Sequence, residues 1–166
     1  MVDEQARPQK QLLLERIYIK DFSFESPKAP GIFASDLKTQ ILFNINSANR
    51  EIDPDHVEVT LDLKVKSIAQ EDTVFLIEVV QAGVFAIRGY TPEERIALLG
   101  SVCPSALYPF AREAVTDVAN KGGFPQLLLQ PLDFDALYAQ SMHERAAQAV
   151  QTKAAAQPAS GNGGTH

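Results

Sequence analysis

The chain has 166 residues, of which 45% are hydrophobic, and its formal net charge is −6. This length supports one domain with a hydrophobic core, and the acidic balance argues against a partner bound through phosphates, such as nucleic acid. Cys103 is the single cysteine, so no disulfide can form within the chain. The polar start, MVDEQARPQKQ, lacks the features of a secretory signal, so we expect a cytoplasmic protein.

The first predicted element is a strand in the run QLLLERIYIKDFSFES. Its two-residue repeat places Phe22 and Phe24 on one face and Asp21, Ser23 and Glu25 on the other. Two carboxylates therefore share one surface. Without further information, such a pair is more often part of a solvated face than of a binding site.

Three more predicted strands follow and form an antiparallel meander. TQILFNINSA and HVEVTLDLKVKSI alternate apolar and polar residues, as half-buried strands do, and the turn-forming AQEDT joins the second of them to the next strand. That strand, from Thr73 to Arg88, is apolar on both faces. It fits either a central strand covered within the chain or one that meets another subunit.

Helices are predicted after Gly89. Thr91 and Pro92 start the first, Pro104 interrupts it, and SALYPFAREAVTDVANKGG resumes the helical spacing, which indicates a kinked helix or two helices. A last helix in DFDALYAQSMHERAAQAV is capped by Asp133 or Asp135, and its inward residues are Leu137 and Met142. Strands followed by helices predict an α+β fold, a four-stranded antiparallel sheet with helices packed on one face.

No pattern of catalytic residues stands out. Only His56, His143 and His166 could act as a base for Cys103, and none lies in a recognisable local signature. The histidines also lack metal-ligand spacing. We therefore expect a protein that is not an enzyme. The unexplained feature is KGGFPQLLLQPLDFDALY, where an apolar run of leucines stands between two prolines that spoil regular structure.

Three segments resemble the SecB family of bacterial protein-export chaperones. They are RIYIKDFSFESPKAPGIF, FLIEVVQAGVFAIRG and CPSALYPFAREAVTDVANKGGFPQLLLQPLDFDALY, in the order of the family. The resemblance implies a SecB-like domain over residues 11–146. It does not extend to the ends of the chain, where we expect a flexible N-terminus, 1–10, and a disordered tail, 147–166, whose composition offers nothing to bury. It also implies a homotetramer, a dimer of dimers, that uses neither ATP nor a metal.

The resemblance further implies that the chain binds unfolded precursor proteins, here called clients, and passes them to the SecA motor. Three groups of residues match family positions. The residues that match the dimer-to-dimer contact are Ile77, Val79 and Gln81. Those that match the surface for the basic tail of SecA are Asp21, Glu25, Leu76 and Glu78. Those that match the client groove are Tyr108, Phe110, Phe124, Leu127 and Leu129. For each groove residue, ordinary core packing is an open alternative.

Two other functions stay open at this point. A SecB-like chaperone could be dedicated to a single partner, such as an antitoxin, and would then ignore generic unfolded chains. A small-ligand-binding α+β protein would instead have a closed and compact pocket, unlike a long, open groove for an extended chain.

Overall fold

The structure, a computed structural model, describes residues 9–36 and 38–155. Four strands form one antiparallel sheet in the order β1-β4-β3-β2, so β1 pairs with β4 instead of with its chain neighbour β2. A crossover of residues 26–39, which contains a 3-10 turn at Gly31–Ala34, makes this arrangement possible. The strands are β1 Gln11–Glu25, β2 Gln40–Glu51, β3 His56–Ala69 and β4 Asp72–Arg88.

Three helices follow the sheet: α1 Pro92–Ala97, α2 Cys103–Lys121 and α3 Phe134–Ala155. The predicted start at Thr91 is confirmed, because the Thr91 hydroxyl accepts from the Glu94 amide and the Glu94 carboxylate accepts from the Thr91 amide. The predicted division of this stretch into two helices is confirmed, but the break is not at Pro104 itself. A π-helical turn, Leu98–Val102, separates α1 from α2, and Pro104 lies in the first turn of α2, where its missing N–H is tolerated.

One face of the sheet, here called the inner face, forms the core with α2. The odd-numbered residues of β3 from Val57 to Val65 are fully buried, and α2 meets them with every fourth residue. A step of four keeps the contact on one stripe of the helix. Phe110, which the sequence places at helical spacing, is not on this stripe and is 43% exposed. The stripe consists of Cys103, Leu107, Ala111, Val115 and Ala119.

Two bulges in β1 determine which of its side chains lie on the opposite side of the sheet, here called the outer face. The pairing with β4 skips one residue at Glu15 and one at Lys20. Each extra residue inverts the alternation of side chains beyond it. As a result Tyr18 and Asp21 both lie on the outer face, although they are three residues apart.

Helix α3 differs from the sequence prediction in its buried residue and in its length, but not in its cap. Phe134 is its buried residue, whereas Leu137 and Met142, predicted to face inward, are 38% and 45% exposed. The Asp133 carboxylate accepts from the Ala136 amide at 3.0 Å, which identifies the first of the two proposed caps as the one used. The helix continues to Ala155, so residues 147–155 of the expected tail are helical. The rest of that tail and residues 1–8 lie outside the described residues.

Candidate functional site

An open cavity of about 360 Å³ lies where the inner face extends beyond the end of α2. Its walls come from the crossover between β1 and β2, from the sheet and from the segment that joins α2 to α3. The apolar lining residues are Ile32, Phe33, Ile41, Val74, Phe75, Phe124, Pro125 and Leu127.

Phe124 is the centre of an aromatic cluster in this cavity. Its ring centroid lies 4.8 Å from that of Phe75, 5.4 Å from that of Phe33 and 6.4 Å from that of Phe24, all with tilted ring planes. These separations fall in the range of favourable aromatic pairs. Phe124 thereby joins the crossover, strands β1 and β4 and the helix-connecting segment.

The helix-connecting segment, residues 122–133, has no regular structure after its first turn but is fastened to α2. The Tyr108 hydroxyl donates to the Gln130 carbonyl at 2.6 Å, and the Thr116 hydroxyl donates to the Leu127 carbonyl at 2.9 Å. Gly122 starts the segment under the ring of Phe24, where a Cβ atom would lie 2.4 Å from the ring. The segment is thus fixed to α2 at Leu127 and Gln130, while the peptide groups between these residues belong to neither a helix nor a strand.

The structure divides the five predicted groove residues. Phe124 and Leu127 line the cavity. Leu129 lines a neighbouring hollow, and Phe110 lines neither. Tyr108 is 5% exposed and packs on Phe134, so it supports the segment from within the core.

Sequence reasoning missed the contribution of the crossover. Ile32 and Phe33 line the cavity from its 3-10 turn, and Ile41 lines it from the start of β2. The signal was available, because Phe33 is a large aromatic residue in a short segment rich in proline and glycine. A side chain of that kind on a connection indicates a contact with a neighbouring element.

The four residues predicted to face SecA lie together on the outer face, here called the acidic face. In the pairing of β1 with β4, Glu25 is opposite Leu76, and Asp21 is opposite Val80, two residues beyond Glu78. Residues opposite each other in antiparallel strands share a face. The acidic face also contains a basic residue. Lys64 of β3 lies opposite Glu78 of β4 in the strand pairing, and the two side chains form an ion pair. That ion pair raises the pKa of Lys64.

Glu58 is a buried carboxylate on the outer face that the sequence did not reveal. It is 5% exposed, and it accepts hydrogen bonds from the Tyr18 hydroxyl at 2.5 Å, from the Lys20 ammonium at 2.9 Å and from the Arg50 guanidinium at 3.2 Å. The bond from Tyr18, followed by that from Lys20, lowers the pKa of Glu58. Three strands are joined by this one side chain, because its partners come from β1 and β2.

The three residues predicted at the dimer-to-dimer contact share one face, as expected, but this is the inner face beneath α2. Ile77 and Val79 are fully buried within the single chain, and Gln81 is 2% exposed and donates to the Tyr18 carbonyl at 3.0 Å. Helix α2 covers these side chains within the single chain, and their part in the dimer-to-dimer contact stays a prediction. Their influence on assembly would act through the position of α2.

Cys103 faces the core from the first turn of α2. It is fully buried, and burial raises the pKa of its thiol to about 12. The thiol therefore stays protonated at neutral pH. Within residues 9–36 and 38–155, no cluster of His, Cys, Asp and Glu suits a metal ion, and no helix is long and apolar enough to cross a bilayer.

Comparisons with known proteins agree on one family. The family model described as preprotein translocase subunit SecB matches residues 4–145. The "Protein-export protein SecB" of Nitrosococcus oceani is 47% identical over 82% of this chain and 85% of its own length. That of Alcanivorax borkumensis is 44% identical over 87% of this chain and 92% of its own length.

A solved structure supports the fold. It is the Mycobacterium tuberculosis SecB-like chaperone Rv1957 in complex with a ChAD peptide from the HigA1 antitoxin. It superposes with a TM-score of 0.60 at 23% identity, over 76% of this chain and 92% of that one. Together with the family match over most of the sequence, this shows that the chain belongs to the SecB family of chaperones for preprotein export.

Proposed function

We propose that this SecB-family chain holds unfolded precursors in the cavity around Phe124 and Leu127. The observation that carries the proposal is the character of the cavity, which is open to solvent and has aromatic and aliphatic walls. A closed pocket would fit one ligand, whereas an open apolar surface accepts many segments that expose hydrophobic side chains. This favours a client site over a small-ligand site.

The helix-connecting segment suits such clients because its shape is held at few points. Two side-chain hydrogen bonds from α2 fix the carbonyls of Leu127 and Gln130. Between them Leu128 is 69% exposed. A wall built this way can adjust to side chains of different size at little cost in free energy, which a packed helix cannot.

The acidic face is proposed as the docking surface for SecA. Asp21, Glu25 and Glu78 form a carboxylate surface that complements a basic partner, and Leu76 adds apolar contact area. Complementary charge raises the association rate and orients the partner. The face is separated from the cavity by the thickness of the sheet, so a client and SecA could be bound together.

Assembly as a dimer of dimers is part of the same proposal. The apolar residues Ile17, Ile19 and Phe22 project from the inner side of the edge strand β1 and are 36%, 50% and 39% exposed in the single chain. An apolar patch beside an edge strand indicates that a second copy covers it. Ile77 and Val79 contribute by setting the position of α2 from below.

Binding of this kind needs no chemical step, and we place it in the cytoplasm, without ATP or a metal of the chain's own. The alternative is a chaperone dedicated to one partner, because the superposed Rv1957 was solved with an antitoxin peptide. The range of clients separates the two. An export chaperone delays the refolding of several unrelated denatured precursors, whereas a dedicated one protects a single protein.

The experiment that tests the proposal mixes the protein with a denatured exported precursor and follows refolding. Phe124→Ser with Leu127→Ser removes two cavity walls, and each lost apolar contact with a client is worth about 1–3 kcal/mol. We expect much weaker retention of the precursor by a chain that remains folded.

A matched control is available one residue further along. Leu128→Ser removes the same side chain from a position that points away from the cavity. Comparable losses of binding for Leu127→Ser and Leu128→Ser would show that the cavity is not the client site. A large fall in melting temperature for the double variant, with binding per folded molecule unchanged, would place Phe124 and Leu127 in the core.

A further inference from the structure

The inner face of β3 changes character at one position. From Val57 to Val65 every inward residue is apolar and fully buried, but the next inward residue is Ser67, which is 1% exposed. A hydroxyl on an otherwise apolar core face carries a desolvation cost unless it has a hydrogen-bond partner. The presence of Ser67 on this apolar face therefore needs an explanation.

Ser67 lies in the floor of the cavity. It pairs with Ile41 of β2 on one side and with Phe75 of β4 on the other, so the three side chains form a row across the sheet. All three line the cavity, and Ser67 is the smallest of them.

The hydroxyl of Ser67 is free to bind something that enters. None of the hydrogen bonds among the described residues involves this hydroxyl, and it is reachable from the cavity, since Arg95 Nη2 is the one fully enclosed side-chain polar atom among those residues that lacks a hydrogen-bond partner. Its immediate neighbours in the row are a hydrocarbon chain and a ring. The other polar side chains of the lining, Ser35, Asp36, Thr39 and Gln126, belong to exposed residues at the rim. The floor thus offers one buried donor and acceptor within apolar walls.

We propose that Ser67 is a specificity-determining residue that makes this cavity prefer tyrosine to phenylalanine in a client segment. This inference rests on the proposed function of the cavity. Both rings fit aromatic walls, but only the phenol can give and take a hydrogen bond at its tip. A phenylalanine ring would close the floor over the hydroxyl and leave it without a partner, whereas a tyrosine would satisfy both groups.

The test uses two peptides of identical sequence except for one central tyrosine or phenylalanine, and measures their affinity by fluorescence anisotropy. For the wild type we expect the tyrosine peptide to bind about threefold to tenfold more tightly, the range of one neutral hydrogen bond. In Ser67→Ala the preference should disappear, because the hydroxyl is removed with little change of shape. Ser67→Val fills the floor and should weaken both peptides.

The outcomes separate the inference from the function on which it rests. An unchanged ratio of affinities in Ser67→Ala, with the protein folded, overturns the role of Ser67 and leaves the client cavity intact. Equal binding of both peptides by the wild type overturns it as well. If Ser67→Val and Leu127→Ser both leave peptide and precursor binding at the wild-type level, the cavity itself is wrongly assigned, and the inference fails with it.

Discussion

The two faces of the sheet differ in how their side chains are satisfied. On the inner face, burial by α2 leaves Val57, Leu61 and Ile77 without any exposed surface. On the outer face, polar side chains satisfy each other, as in the hydrogen bonds that surround Glu58. The inner face is stabilised by the removal of apolar surface from water, and the outer face by charge and hydrogen bonds.

The difference shows how one thin sheet can offer two binding surfaces. On the inner face, an apolar ligand can enter the open cavity where the sheet extends beyond α2, around Phe75 and Phe124. On the outer face, a charged ligand can meet the carboxylates of Asp21, Glu25 and Glu78. Alternation along the strands keeps the two chemistries apart, so substitutions at adjacent positions should have different consequences.

The largest effect is expected from Ile77→Asp. It places a carboxylate under α2, where nothing can solvate it, and should lower the free energy of unfolding by about 3–5 kcal/mol. Leu76→Asp is the matched control, since the neighbouring side chain lies on the outer face. Chemical denaturation measures both, with light scattering to follow assembly. Similar stabilities for the two variants would contradict the assignment of faces.

Glu58→Gln should have the next largest effect, and the effect should depend on pH. Loss of the charged hydrogen bonds should lower stability by about 1–3 kcal/mol at neutral pH. Because the pKa of Glu58 is lowered from its ordinary value of 4.5, its contribution is present above that value and is lost as the pH falls through the folded-state pKa.

Denaturation of the wild type and Glu58→Gln between pH 7 and pH 3 checks this sign. The two stabilities should converge on acidification. A difference that stays constant over that range would mean that Glu58 does not titrate with a lowered pKa.

Charge reversal on the acidic face should affect SecA and spare clients. Asp21→Lys with Glu25→Lys should weaken SecA binding about tenfold or more at low salt, and added salt should weaken the wild-type contact in the same direction. Glu93→Lys with Glu144→Lys changes the net charge equally at exposed helical positions and serves as the control. Equal losses of SecA and client binding in the first variant would show that the two surfaces are not separate.

The smallest effect is expected from Lys64→Met. Lys64 holds the carboxylate of Glu78 in the free chain, so a basic partner has to compete with it. Its removal should strengthen SecA binding about twofold to threefold, as expected for an exposed ion pair. Weaker binding in a calorimetric titration would instead identify Lys64 as a contact for the partner.

Periodicity predicted most of the sheet because each strand has a two-residue repeat with a clear meaning. HVEVTLDLKVKSI became β3 with Val57 to Val65 on the inner face, and the grouping of Asp21 with Glu25 held as well. The apolar character of β4 on both faces had two explanations. In the structure, α2 covers the inner face of β4 and not its outer face.

What failed depended on contacts between distant parts of the chain. Tyr108 and Phe110 are both aromatic residues of one helix, but only their position relative to the sheet makes the first buried and the second exposed. The roles of Phe33 and Glu58 likewise need the crossover and the pairing of three strands. Local patterns carry no information about such partners.

The bulge at Lys20 sets which face of the sheet the later side chains of β1 occupy. Lys20 is the extra residue of this bulge, because Ile19 pairs with Gln81 and Asp21 with Val80, so deleting Lys20 would straighten the strand and leave the later side chains on their present faces. Inserting one residue after Asp21 would instead move Phe22 and Phe24 to the outer face and turn Glu25 toward the aromatic cluster. Such an insertion should therefore disrupt both proposed binding surfaces together, whereas the loss of Lys20 should keep their register.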